Sequence, residues 1–223
     1  MTYNIVSTGS KGNAVVINDR ILIDCGVPFK ALDPVKKDLR LVLLTHIHSD
    51  HFCKSTVRAL AKERPILRWG CCKWMVGPLL EAGVDKRRID PYEPGTEYAY
   101  PSLWLTVLPD HLPHNVPNCG YHITAEEERL FYATDTGTLD GIEARGYGLY
   151  MVEANHTRAE LEARMEAKRA AGEFSYEWAA AQNHLSREQA EGLALSTDGA
   201  EQPVCVPAST SRGRKLMEWK SYY

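Results

Sequence analysis

Seven consecutive residues, Thr45-His46-Ile47-His48-Ser49-Asp50-His51, gather three imidazoles and a carboxylate. Imidazole and carboxylate are the ligands that borderline divalent metals such as zinc prefer. The spacing carries its own chemistry. Residues two apart in extended chain point the same way, so His46 and His48 can converge on one ion. Histidines can also cap loops or sit satisfied in a core, but four such groups in six residues favour a metal site.

The cluster needs a rigid support, and the sequence supplies one directly before it. Leu41-Val42-Leu43-Leu44 is a continuous apolar run that reads as a buried strand. Side chains at the end of such a strand open into a crevice, where ligands bind in α/β architectures. Strands are also expected over residues 3–7, 14–17 and 21–23, around turns at 9–13 and 18–20. A helix follows over 55–63, then a short strand at 66–68 and a helix over 72–81 that contains Pro78. Strands at 104–108, 121–124, 129–133 and 149–153 fill the middle of the chain. Thr157 with Glu160 forms a capping box for a helix running to Ala171, and Ser186 with Gln189 forms another for a helix toward Leu195. A last strand is expected at 203–206. No low-complexity linker or repeat appears, so residues 1–223 are expected to form one domain.

Composition narrows the function classes. The apolar fraction of 44% is enough for a packed core. A net charge of −3 argues against a strongly basic nucleic-acid-binding domain, though not against a local basic groove. The start of the chain lacks a signal peptide, and no run approaches the length of a membrane span. A soluble cytoplasmic protein is therefore expected. None of the six cysteines forms a C-x-x-C pair, so buried or free thiols are expected.

The pattern H-x-H-x-D-H at His46, His48, Asp50 and His51 resembles the metal-binding motif of the metallo-β-lactamase superfamily. The resemblance extends along most of the chain. It implies an α/β fold, a four-layer αβ/βα sandwich. It also implies two divalent metal ions, zinc or manganese with iron an alternative. His46 and His48 would serve the first ion, and Asp50 and His51 the second.

Other stretches resemble the YycJ/WalJ-like, RNase Z-related branch. His114-Asn115 before Gly120-Tyr121 matches that branch's His-Asp before Gly-Tyr, with Asn for Asp, which favours His114 over His111 as third ligand of the first metal. Asp135, in Ala133-Thr134-Asp135-Thr136-Gly137, resembles the bridging aspartate. A carboxylate has two oxygens and can span two ions, which an imidazole cannot. Asn183-His184-Leu185-Ser186 resembles a G-H-L-S stretch, Glu153-Ala154-Asn155 a Glu-x-Asn stretch, and the 7–13 segment an S-G-S-x-G-N turn. His156 is read as a structural or supporting residue.

One departure concerns the second ion. RNase Z-like relatives complete it with a last histidine after a final strand, and this chain has no histidine after His184. Either the second site has one protein ligand fewer, or His184 fills the gap. His184 is assigned a catalytic role, with ligation the alternative, and Asp50 is assigned both ligation and orientation of the attacking hydroxide.

The resemblance thus implies a metal-dependent hydrolase, a phosphodiesterase or nuclease acting on DNA or RNA through a metal-activated hydroxide. Lys11, Arg68, Lys73, Arg212, Arg214 and Lys215 are candidates to line the approach. Two rivals stand beside it: a phosphodiesterase of small or cyclic nucleotides, and a non-catalytic metal-binding scaffold. The oligomeric state stays open, a homodimer included, and no membrane partner is expected.

Overall fold

The computed structural model describes residues 1–173, 182–195 and 204–206. Its first sheet follows chain order: β1 (Tyr3–Ser7), β2 (Ala14–Ile17), β3 (Ile21–Ile23), β4 (Leu41–Leu44), β5 (Arg68–Cys72) and β6 (Ile89–Tyr92). The first three strands run antiparallel, and β3 to β6 run parallel. The second sheet holds β7 (Tyr98–Tyr100), β8 (Leu105–Leu112), β9 (Asn118–Ala125), β10 (Glu128–Ala133), β11 (Leu149–Glu153) and β12 (Val204–Val206). It repeats the plan: antiparallel from β7 to β10, parallel from β10 to β12.

The alternation of strand side chains decides the layers. Val15, Ile17, Ile23, Leu41 and Leu43 face the second sheet, where Val107, Tyr121, Ile123, Tyr132 and Met151 meet them. Their neighbours Val16, Leu22, Val42 and Leu44 face outward onto Val57 and Leu60 of helix α1 (Lys54–Glu63) and Leu79 of α2 (Val76–Glu81). On the far side, Phe131, Tyr150 and Val152 pack against Leu185 and against Ala190 of α4 (Arg187–Leu195). The preceding helix, α3 (Arg158–Ala171), buries no residue. The result is the expected four-layer αβ/βα sandwich. Each fully buried branched side chain contributes roughly 1.5–3 kcal/mol. The sheet–sheet core therefore fixes the strand ends, and it is those ends that carry the chemistry.

Most elements fall where the sequence put them, including both capping boxes. Thr157 accepts from the Glu160 N–H at 3.1 Å, and Gln189 N–H donates to Ser186 Oγ at 3.2 Å. The structure corrects the stretch from 66 to 81. Residues 66–67 belong to a turn closed by Leu67 N–H on the Arg64 carbonyl, and the strand runs on through Cys71 to Cys72, which ends it instead of opening a helix. The helix begins at Val76, so Pro78 lies in its first turn, where a missing N–H breaks no bond. Two edge strands, β6 and β7, were not expected. Pro91 masks the first, since proline within a run argues against a central strand but is tolerated at an edge. Among the described residues no helix is long and apolar enough to cross a membrane. Cys25, Cys53, Cys71, Cys72 and Cys119 are free thiols, as expected.

Candidate metal centre

The candidate residues collect at the carboxyl ends of the parallel strands. Asp24 follows β3, the His46–His51 run follows β4, Asp135 follows β10, and Glu153 ends β11. The turn between β8 and β9 adds His114, and the segment before α4 adds His184. Two glycines permit the close approach. A methyl on Gly26 would lie 1.8 Å from the Asp50 carbonyl oxygen, and one on Gly137 would lie 2.0 Å from that of Gln182. Neither position tolerates a side chain without displacing the metal-motif loop or the His184 segment.

Three imidazoles form the first group. His46 Nε2 lies 3.1 Å from His48 Nδ1, which lies 3.3 Å from His114 Nε2. Tetrahedral zinc bonded to nitrogen at about 2.0–2.1 Å would set its ligand nitrogens about 3.3 Å apart. The tautomer of His46 follows from its neighbours. Thr45 Oγ1 donates to Asp24 at 2.9 Å and therefore accepts from His46 Nδ1–H at 3.0 Å, which leaves the Nε2 lone pair facing the group. Burial pushes His46 down to about 2 and His114 down to about 4, so both rings are neutral at pH 7. Two neutral rings that meet His48 Nδ1 at these distances form a donor set that fits a cation.

A second group joins His46, His51 and Asp135. Asp135 Oδ2 lies 2.5 Å from His51 Nε2 and 3.6 Å from His46 Nε2. Asp24, fully buried, takes the other His51 nitrogen at 2.6 Å. Burial pushes His51 down, but the Asp24 and Asp135 carboxylates outweigh it and hold the ring above its ordinary range. Both aspartates have positive φ, 59° at Asp24 and 54° at Asp135, conformations that Asp tolerates better than most residues and that concentrate at functional sites. Asp50 is looser. Its carboxylate is 34% exposed, and Oδ2 lies 3.8 Å from His51 Nε2.

A third group joins Asp135, Glu153 and His184. His184 Nδ1 lies 3.0 Å from Glu153 Oε2 and 3.1 Å from Asp135 Oδ1. Burial lowers the ring's pKa, yet the two carboxylates prevail and raise it to about 10. Asp135 is held below the usual carboxylate range despite burial, by its bonds to His184 and His51. Glu153 is pushed up by burial, although Thr136 N–H donates to it at 2.7 Å.

The structure thus brings together His46, His48, His51, His114, Asp135 and His184, with Asp50 at the rim. His111 stands apart, edge-on to Trp74. His156 pairs by backbone with Ser186, which registers the His184 segment on the strand side. The stretch 207–211, where the resemblance expects a last histidine and this chain has none, and Arg212, Arg214 and Lys215 lie outside the described residues.

Three contributors receive no site role from the sequence. Asp24 and Glu153 each close an apolar strand, as Asp135 does, but Asp135 is singled out by resemblance and Glu153 is noted only as part of a Glu-x-Asn stretch. Asn13 lies in the 7–13 turn noted by resemblance, but nothing in that turn points to His51. Its amide reaches His51 Nε2 at 2.8 Å across a sequence separation that only folding bridges.

The fold is shared with solved proteins at low identity. The metallo-beta-lactamase fold protein YhfI from Bacillus subtilis is 15% identical with a TM-score of 0.65, covering 86% of this chain and 79% of its own. The short form of human tRNase Z is 14% identical with a TM-score of 0.65, covering 97% and 98%. Zn(2+)-bound PqqB from Methylobacterium extorquens is 12% identical with a TM-score of 0.66, covering 92% and 88%. No curated protein sequence gives a significant match. A family model described as a beta-lactamase superfamily domain matches residues 19–197, most of the chain, and the chain therefore belongs to the beta-lactamase superfamily.

Proposed function

We propose that this protein is a metal-dependent phosphodiesterase of the YycJ/WalJ-like, RNase Z-related branch, with residues 1–223 acting as one hydrolase domain. The observation that carries the proposal is the arrangement around Asp135. One of its oxygens faces His51 and, more distantly, His46, while the other faces His184. His46, His48 and His114 would hold one cation, and Asp50, His51 and Asp135 a second. Cations bound there would activate water and neutralise charge on a phosphoryl group.

The chain's own residues supply the remainder. Asp24 fixes the ring of His51 and so the direction of Nε2. Glu153 and Asp135 occupy His184 Nδ1 and keep the ring protonated at neutral pH, which leaves Nε2–H to donate to a leaving oxygen. The same three groups would also suit a cation, and the metal content of the His184→Ala chain separates proton donation from ligation. Asp50, a third exposed, would orient the attacking oxygen.

The substrate is proposed to be DNA or RNA, and the short-form tRNase Z among the structural relatives supports that class. A specific observation favours a second reading, small nucleotide phosphodiesters. Of the cations expected to line an approach, Arg68 is paired with Asp90 and Lys73 with Glu93, so each would exchange a carboxylate for a phosphate on meeting a polymer backbone. Hydrolysis of bis(p-nitrophenyl) phosphate by the Mn²⁺- or Zn²⁺-loaded protein tests the reaction class, and absence of turnover sinks it. Binding of single-stranded oligonucleotides across a salt series separates the substrates. A polymer held through several phosphates weakens steeply with salt, and a mononucleotide does not.

A further inference from the structure

Trp74 lies in a short turn (Lys73–Met75) just past the carboxyl end of β5, the strand beside β4. Its Nε1–H donates to the Thr45 carbonyl at 3.3 Å, which fixes the indole to the residue directly before His46. His111 comes from the other sheet. Leu105 and Val107 of β8 face the first sheet, and His111 follows them at the same alternation. It stands at the end of β8 that leads into the His114 turn, and there it is exposed. The two rings meet at 82°, with centroids 6.4 Å apart.

Each sheet thus contributes one ring to a corner beside the metal groups, and neither ring belongs to a metal group among the described residues. Trp74 is only partly buried and His111 is exposed, so ring surface is left to water. A flat aromatic group laid on one ring would meet the other at its edge, and stacked and edge-on contacts are the two that aromatic rings prefer. A phosphodiester whose alcohol is a nucleoside carries such a group one sugar away from phosphorus. A simple alkyl phosphodiester carries none.

Resting on the phosphodiesterase reading above, we propose that Trp74 and His111 form a nucleobase subsite, which holds the base of the nucleoside flanking the scissile phosphate. Stacking accepts every base, because each has a π-face. The subsite therefore selects nucleotides over other phosphoesters without reading their sequence.

Inhibition of bis(p-nitrophenyl) phosphate hydrolysis by the full, Mn²⁺-loaded chain tests this. The competitors are methyl phosphate and the two thymidine monophosphates, phosphorylated on the primary or the secondary hydroxyl. In the wild type at least one nucleotide binds about tenfold more tightly than methyl phosphate, the worth of one stacked base. Trp74→Leu loses most of that preference, while the inhibition constant of methyl phosphate stays as it was. Trp74→Phe keeps a ring without the N–H and retains most of the preference. Equal losses for nucleotide and methyl phosphate in Trp74→Leu overturn the proposal, because the indole would then only support the metal-motif loop. A Trp74→Phe chain as impaired as Trp74→Leu overturns it too, since the bond to Thr45 would then be what counts. A wild type without preference for either nucleotide also overturns it, and turnover of the diester in that case leaves the phosphodiesterase reading standing. A wild type without turnover removes that reading and this inference together. A thymidylate trimer in the same assay separates the sources of the base: stronger inhibition than the monophosphate marks a strand, equal inhibition a single nucleotide, and either fits the subsite. Thermal unfolding monitors the fold. If Trp74→Leu fails to fold, His111→Ala carries the test at an exposed position: it weakens the nucleotide about threefold, and an unchanged constant overturns the proposal.

Discussion

Asp24 and His51 form a fully buried pair, the carboxylate 2.6 Å from the ring's Nδ1, although 27 residues separate them in the chain. Thr45 N–H and Oγ1 also donate to Asp24, at 3.0 and 2.9 Å. One carboxylate thus sets both the ring of His51 and, through Thr45, the tautomer of His46. Carboxylates in this supporting position typically change metal affinity by about 10–100-fold. Asp24→Asn keeps the shape and removes the charge, and should weaken the second cation by about that factor. Metal titration checks it, and an unchanged second affinity would assign Asp24 to packing alone.

Asp135 faces both histidine groups. Asp135→Ala is expected to abolish hydrolysis and lower metal content at both positions, as measured by elemental analysis after dialysis. Normal occupancy in that variant would remove its bridging role.

His184 and Glu153 act as a pair. His184→Ala should cost about 10²–10⁴ in kcat while cation content is retained. If an ion is lost instead, His184 is a ligand. Glu153→Gln removes one of the charges that hold the ring's pKa up to about 10. The alkaline limb of its pH–rate profile should then move to lower pH, and a profile that does not move would rule out this role for Glu153.

The metal-free protein should be most stable near pH 6.5. His184 has a folded pKa raised to about 10, so its stabilisation is complete below about 6.5 and lost as pH rises through about 10. His114 is lowered to about 4, so the folded state resists a proton that the unfolded chain accepts, and stability falls from about pH 6.5 toward 4. Thermal midpoints of chelated protein from pH 4 to 10 should trace a maximum. His184→Ala should flatten its alkaline side, and an unaltered slope would contradict the assignment.

Gly137 is the contact that lets the His184 segment reach Asp135. Gly137→Ala would press a methyl against the Gln182 carbonyl. It should impair hydrolysis while the His46–His48–His114 group still binds its cation. Wild-type turnover would show that the segment can shift without consequence.

How much of this was legible in the chain depends on whether the signal was local. The buried strands, both capping boxes and the His46–His51 run are written in consecutive residues. Periodicity and capping are short-range effects, so they survive without the fold. The stretch from 66 to 81 failed for the same reason. Cys71 and Cys72 are strand residues only because β4 and β6 flank them, and Pro91 hides β6. His114 was distinguished from His111 by resemblance, and the geometry agrees: one ring joins His48 and the other lies against Trp74.

The sequence by itself determined the donor types, their alternation after a buried strand, and that no histidine follows His184. Only the tertiary structure decided the partners. Asp24, Asn13 and Glu153 become site residues because two sheets pack face to face and bring the ends of β3, β4, β10 and β11 together. Hydrogen bonds act over about 3 Å, and nothing in the order of residues states which of them will stand that close.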